Sequence, residues 1–202
     1  MIELYSGTPG SGKSLHLAKD LYSYLNGKRD RLVICNFEIN LDKVRHPERF
    51  LYIKNDALTV DLMEMIAQDY FIDHELKENS IILIIDECQL LFNSRDWARS
   101  DRRPWLGFFS QHRKYGFLVT LVAQYDEMID KQIRAVIEYE TFHRKVTNYG
   151  NIGFFLKLFT FGDWFIAIDV WYVLKKQVGH SFFRASKKYY SLYDTFNTFS
   201  GK

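Results

Sequence analysis

The chain has 202 residues, enough for one domain or one domain with a small appendage. Its 27 Lys and Arg against 25 Asp and Glu leave a formal charge of +2, which excludes a polybasic nucleic-acid binder on charge alone. A hydrophobic content of 47% and an aromatic content of 17% supply material for a core and exclude a disordered chain.

Two cysteines, Cys35 and Cys88, sit in or beside apolar runs and are too few for a disulfide framework or a zinc site, so the chain reads as one folded in a reducing compartment. Met1-Ile2-Glu3-Leu4 carries no basic region or long apolar run, so no secretory signal is expected. The most apolar stretch, Phe154 to Leu174, is interrupted by Lys157, Asp163 and Asp169 and is too polar for a membrane span. It reads instead as two strands joined at Gly162-Asp163. The chain itself is therefore expected to be soluble.

In chain order, Ile2 to Tyr5 is a short strand running into a glycine-rich turn from Gly7 to Gly12. Leu15, Ala18, Leu21, Tyr22 and Leu25 recur at helical spacing, and Gly27 supplies a stop. Leu32 to Cys35 and Arg49 to Lys54 are strand candidates. Leu58 to Tyr70 has a helical period through Leu62, Met65, Ile66 and Asp69. Ser80 to Ile85 is a β-branched run of the kind found in a strand covered on both faces. Pro104 at a first helical position and Gly116 past the end bracket another helix. Phe117 to Ala123 is a second buried strand and Ala135 to Phe142 a third. Strands alternating with helices predict an α/β fold with a mainly parallel sheet. A polar stretch at Asn148 to Gly153 places the boundary between a core (1–148) and an aromatic β-hairpin with its tail (149–202), packed on the core.

Residues 7 to 14, Gly7-Thr8-Pro9-Gly10-Ser11-Gly12-Lys13-Ser14, satisfy the G-x-x-x-x-G-K-[ST] pattern between a strand and a helix. Glycines let backbone N–H groups close around phosphate oxygens, and the helix start at Leu15 presents its positive end to them. Lys13 can reach the β- and γ-phosphates of ATP, and the Ser14 hydroxyl can ligate Mg²⁺. Such a loop needs a carboxylate at the end of a neighbouring buried strand. Asp86 fits that role, and Glu87 beside it can polarise an attacking water. Gln124, at the end of the Phe117–Ala123 strand, can contact the γ-phosphate or orient that water.

Arginines that could complete such a site from a neighbouring subunit are Arg95, Arg113 and Arg134; Arg95 shares a loop with Arg99, Arg102 and Arg103. The histidines His16, His46, His74, His112, His143 and His180 show no metal-ligand spacing and read as structural. These residues alone leave three readings open: an ATP-hydrolysing motor, a small-molecule or nucleotide kinase with an arginine-rich lid, and a non-hydrolysing nucleotide-gated adaptor.

Further segments narrow the choice. Asp86-Glu87-Cys88, Phe92-Asn93-Ser94-Arg95-Asp96-Trp97, Arg102-Arg103-Pro104, His112-Arg113-Lys114-Tyr115-Gly116, Gln124, Asp130-Lys131-Gln132-Ile133-Arg134 and Leu192-Tyr193-Asp194-Thr195 followed by Phe199 span the chain. Together they resemble the zonula occludens toxin family, which includes the gene I-type assembly ATPases of filamentous phages. The resemblance implies a P-loop ATPase of the additional-strand type, with Lys13 and Ser14 as the nucleotide pair, Asp86 as the metal carboxylate and Glu87 as the base.

It also implies virion assembly and export at the cytoplasmic face of the host inner membrane, with phage coat and assembly proteins as partners. A homo-oligomeric ring is implied, and Arg95, Arg113 or Arg134 would then act in trans. Any contact with single-stranded DNA is expected to be weak or indirect. Family members typically continue into a transmembrane helix and an outer domain. This chain is accordingly expected to be a cytoplasmic portion, or a short form held at the membrane by a partner.

Overall fold

The structure, a computed structural model, describes residues 1–95, 102–146 and 163–193. β1 (Ile2–Ser6) lies inside an eight-stranded sheet, pairing in parallel with β5 (Phe117–Val122) on one side and β6 (Tyr139–Lys145) on the other. Beyond β5 come β4 (Ile81–Ile85), β2 (Leu32–Cys35) and β3 (Phe50–Tyr52), all parallel. Beyond β6 come β7 (Trp164–Trp171) and β8 (Lys176–Arg184), both antiparallel to their neighbours. The order is β3-β2-β4-β5-β1-β6-β7-β8. The sheet is thus mainly parallel, and β5 is the additional strand inserted between the loop-bearing β1 and the carboxylate-bearing β4.

The β-branched run explains the layering. All five residues of β4 are buried, and alternate side chains feed two cores. Ile81, Leu83 and Ile85 pack with the side of α2 (Val60–Asp73) and α3 (Arg102–Gln111), while Ile82 and Ile84 pack with α1 (Lys13–Asn26). Removing a Leu or Ile side chain from water contributes about 1.5–3 kcal/mol, so a strand that buries both faces anchors both layers at once.

Several expectations shift in detail. α2 starts one residue after Thr59, whose hydroxyl accepts the Leu62 N–H at 3.3 Å. It buries Val60, Met63 and Ala67, while Met65 is 51% exposed, so the buried stripe is rotated from the expected one. Pro104 is the third residue of α3, tolerated there because the first-turn N–H groups have no intrahelical partner. Gly116 adopts φ 70°, and a Cβ on it would meet the Phe71 ring at 2.5 Å. Glycine is required at this turn for both reasons.

The strand expected from Ala135 begins only at Tyr139. Asp130 Oδ1 accepts the N–H groups of Gln132 and Ile133 and starts the helical turn Lys131–Arg134, which takes up the residues before it. A hairpin does form in the aromatic C-terminal part, from β7 and β8. β7 and β8 are joined at Tyr172–Lys175, and both edges of β7 are occupied, by β6 and β8. Gly162, at the expected turn, lies outside the described residues. Phe154, Phe155, Phe159 and Phe161, like the boundary stretch Asn148 to Gly153, lie outside the described residues. Among the described residues no helix is long and apolar enough to cross a membrane.

Candidate nucleotide-binding site

The loop leaves β1 at Gly7. Its N–H donates to the Gln124 carbonyl at 3.1 Å, which ties the loop to the end of β5. Gly7, Gly10 and Gly12 have φ of 136°, 75° and 101°, a region in which a side chain is strained. Gly7 is also crowded, since a Cβ there would lie 2.6 Å from the His143 carbonyl oxygen. Gly12 precedes α1, and its missing Cβ would strike the Phe165 ring at 2.5 Å. Thr8, Pro9 and Gly10 are exposed at the loop's outer rim.

Lys13 opens α1 and folds back over the loop, where Nζ donates to the carbonyls of Gly7 at 2.5 Å and Thr8 at 3.3 Å. Burial lowers the Lys13 pKa, and the charges of Glu87 and Asp86 work against that shift. The ammonium and both carboxylates therefore share one electrostatic site. Ser14 lies beside Lys13 in the first turn of α1. Leu15 contributes backbone only, because its side chain is buried against Phe165, Ala167 and Phe183.

Asp86 directly follows β4 and is held from several sides. Its N–H donates to Asn36 Oδ1 at 2.7 Å, and its carbonyl accepts from Asn36 Nδ2 at 2.8 Å. Its carboxylate accepts the Glu87 N–H on Oδ1 at 2.9 Å and the Tyr193 hydroxyl on Oδ2 at 2.7 Å. Burial raises the Asp86 pKa, with the Tyr193 and Glu87 hydrogen bonds opposing it. Glu87 adopts a left-handed φ of 47°, so the chain turns sharply and leaves its side chain exposed beside Asp86. Gln89 Nε2 donates to Glu87 Oε2. The sharp turn puts adjacent residues to different tasks, one anchored in the protein and one open to solvent.

Beneath the loop lies a polar stack that sequence reading did not assign. His143 Nδ1 faces the Ser6 carbonyl at 3.1 Å and must carry its proton there, so Nε2 accepts from His16 Nδ1 at 2.8 Å. Burial, followed by the neighbouring His16, pushes His143 down to about 3. The ring therefore stays neutral and braces the strand end from which the loop springs.

The arginine candidates occupy different places. Arg95 is exposed near Tyr125 and Glu127, in the segment after β4 that runs beside Met128–Asp130. Arg113 pairs with Glu138 at 2.6 Å, and Glu138 also accepts the Ile2 N–H. That is the end of β1 opposite the loop, so Arg113 is remote from the loop of its own chain. Arg134 lies on the crossover between β5 and β6. Burial would raise the Asp126 pKa, but the Tyr172 hydroxyl and the charges of Lys175 and Arg134 bring it below its ordinary value. Arg99 lies outside the described residues.

The loop suits a triphosphate. Ser11 Oγ is buried without a hydrogen-bond partner, two of the three glycines leave no room for a side chain, and Lys13 is held at the loop's centre. Ser14 and Asp86 offer hard oxygen donors of the kind Mg²⁺ takes, and each Asp86 oxygen keeps a second lone pair.

A family model described as Zonular occludens toxin (Zot) matches residues 1–198. The chain belongs to this family. Relatives of this zonular occludens toxin family member include the Gene 1 protein of Escherichia phage If1, 35% identical over 154 residues, which cover 72% of this chain and 42% of that protein. The Gene 1 protein of Enterobacteria phage I2-2 is 29% identical over 153 residues, covering 72% and 40%. The chain thus spans about two-fifths of the length of these relatives.

Two solved structures share the fold. The N-terminal domain of zonular occludens toxin from Neisseria meningitidis is 20% identical with a TM-score of 0.57, over 96% of this chain and 98% of that one. The genome packaging NTPase of Sulfolobus turreted icosahedral virus 2, solved with ATP-gammaS, is 15% identical with a TM-score of 0.55, over 90% and 96%. The fold is that of the P-loop NTPases.

The sequence reading names neither Asn36 nor Tyr193 as a site residue, and its structural reading of His16 and His143 does not place them under the loop. Asn36, a polar residue at the end of the strand beside β4, left a weak signal. Tyr193 left a stronger one, since it lies in a segment that carries the family resemblance.

Proposed function

We propose that this chain is the Mg²⁺-dependent, ATP-hydrolysing motor portion of a filamentous phage assembly and export protein, working at the cytoplasmic face of the host inner membrane. The observation that carries the reading is the convergence of Lys13, Asp86 and Glu87, with Gln124 just past the end of the strand between them and its carbonyl on the Gly7 N–H. Family membership and the phage Gene 1 relatives support the biological setting.

In this reading the loop amides from Gly7 to Ser14, together with Leu15 N–H, hold the phosphates, and Lys13 turns from the loop carbonyls to the β- and γ-phosphate oxygens. Ser14 and Asp86 hold Mg²⁺, which when bound neutralises charge developing on those oxygens. Glu87 accepts a proton from the attacking water, and Gln124 positions that water. Subunits assemble into a homo-oligomeric ring, in which Arg95, Arg113 or Arg134 of one copy faces the phosphates of the next. Phage coat and assembly proteins are the partners, and membrane association comes from a further segment or a partner.

A kinase would need an acceptor and would lose ATP to any water activated by Glu87. The test is turnover of ATP with no acceptor present, rising steeply with protein concentration as the ring forms. Lys13→Ala should abolish tight ATP binding. Strict acceptor dependence, or full binding by Lys13→Ala, would contradict the reading.

A further inference from the structure

The Leu192-Tyr193 segment carries part of the family resemblance, yet nothing in phosphate chemistry asks for it. After β8 the chain forms the helical turn Lys187–Tyr190 and packs along α1, with the Tyr189 and Tyr22 rings 6.1 Å apart. Leu192 is 1% exposed, and its carbonyl accepts the Asn40 N–H at 2.9 Å. The Tyr193 ring packs on Phe37 at 4.4 Å between centroids. These anchors deliver the Tyr193 hydroxyl to Asp86 Oδ2 at 2.7 Å, across 107 positions of sequence.

We propose that Tyr193 is a positioning residue for the metal carboxylate: its hydroxyl and the Glu87 N–H, one on each oxygen, fix Asp86 in the orientation that receives Mg²⁺. The inference rests on the ATPase reading above. An aspartate at a strand end can rotate about two side-chain bonds, and donors on both oxygens remove that freedom. Each oxygen keeps a lone pair for the metal or a metal-bound water, so the hydroxyl need not leave when the ion enters. A neutral donor also orients the carboxylate without adding a cation that would repel Mg²⁺. Outer-shell hydrogen bonds of this kind are typically worth 10–100-fold in metal affinity.

The test is Tyr193→Phe in the full chain, which keeps the ring on Phe37 and removes one oxygen. Mg²⁺ is titrated calorimetrically with a non-hydrolysable ATP analogue present, and separately against turnover at saturating ATP. The half-saturating Mg²⁺ concentration should rise about tenfold in both, with analogue affinity in EDTA unchanged. In an Asp86→Asn background the same change should add no further shift, whereas a merely structural role would persist there.

Should Tyr193→Phe fail to fold, Phe37→Leu loosens the seat of the ring and should move the Mg²⁺ titration the same way. Unchanged Mg²⁺ half-saturation in a variant whose parent binds and hydrolyses Mg·ATP overturns the inference and leaves the ATPase reading standing. Faster turnover at unchanged Mg²⁺ dependence would make the segment a brake and overturns it equally. A parent chain with neither metal-dependent binding nor turnover overturns both.

Discussion

The two sides of β1 are built on different physics. On one side, β5 and β4 are buried strands sandwiched between helices, apolar throughout except for Thr120 in β5, and their charged residues appear only beyond the strand ends, where the site forms. On the other side, β6 and β7 bury Thr141 and His143 beside Glu3 and Asp169. The Thr141 hydroxyl lies 2.7 Å from Glu3 Oε1 and 2.9 Å from Asp169 Oδ1. One hydroxyl proton cannot serve two carboxylates. Burial raises the Glu3 pKa to about 7. The apolar side fixes the layers, and the polar side, through His143 and Phe165, meets the loop glycines Gly7 and Gly12.

The largest effect that separates the sides should come from Phe165→Ala. It removes a buried ring and should cost about 3–5 kcal/mol of stability, and because that ring abuts Gly12 it should also weaken ATP binding. Leu83→Ala, in the apolar side, should cost about 2–5 kcal/mol in chemical denaturation and leave the ATP affinity of the folded fraction unchanged. Equal losses of affinity in the two variants would erase the distinction.

The polar side should also give stability its pH dependence. A carboxyl raised in the folded state binds its proton more tightly there than when unfolded. Its stabilising share is full below about pH 4.5 and is lost as pH rises to about 7. Glu3→Gln should therefore stabilise the protein at pH 8, by on the order of 3 kcal/mol at most, and flatten the melting curve between those limits. His143 works in the opposite sense. Its pKa falls from 6.5 to about 3, so stability present above pH 6.5 is lost as pH falls. The smallest effect belongs to a helix over the apolar side: Thr59→Ala removes the cap of α2 and should cost about 1 kcal/mol in chemical denaturation.

The same contrast decides what could be read from the sequence. The loop, the Ser80–Ile85 run and Asp86-Glu87 carry local signals, because a buried parallel strand and a phosphate turn each constrain consecutive residues. Asn36, His143 and Tyr193 act through partners many positions away, and no local pattern marks them. The turn between β7 and β8 carries no local signal either, since it presents exposed Val173 and Leu174 and places Lys175 at φ 47° without a glycine. The rotated face of α2 followed from reading Met65 as core when the helix instead buries Met63.

If Lys13 and its loop grip ATP while Glu87 readies water for its cleavage, paired binding and turnover measurements on Glu87→Gln should separate the two steps. ATP affinity should stay at the parent value while turnover falls by about 10²–10⁴-fold. Turnover at the parent rate would contradict the account.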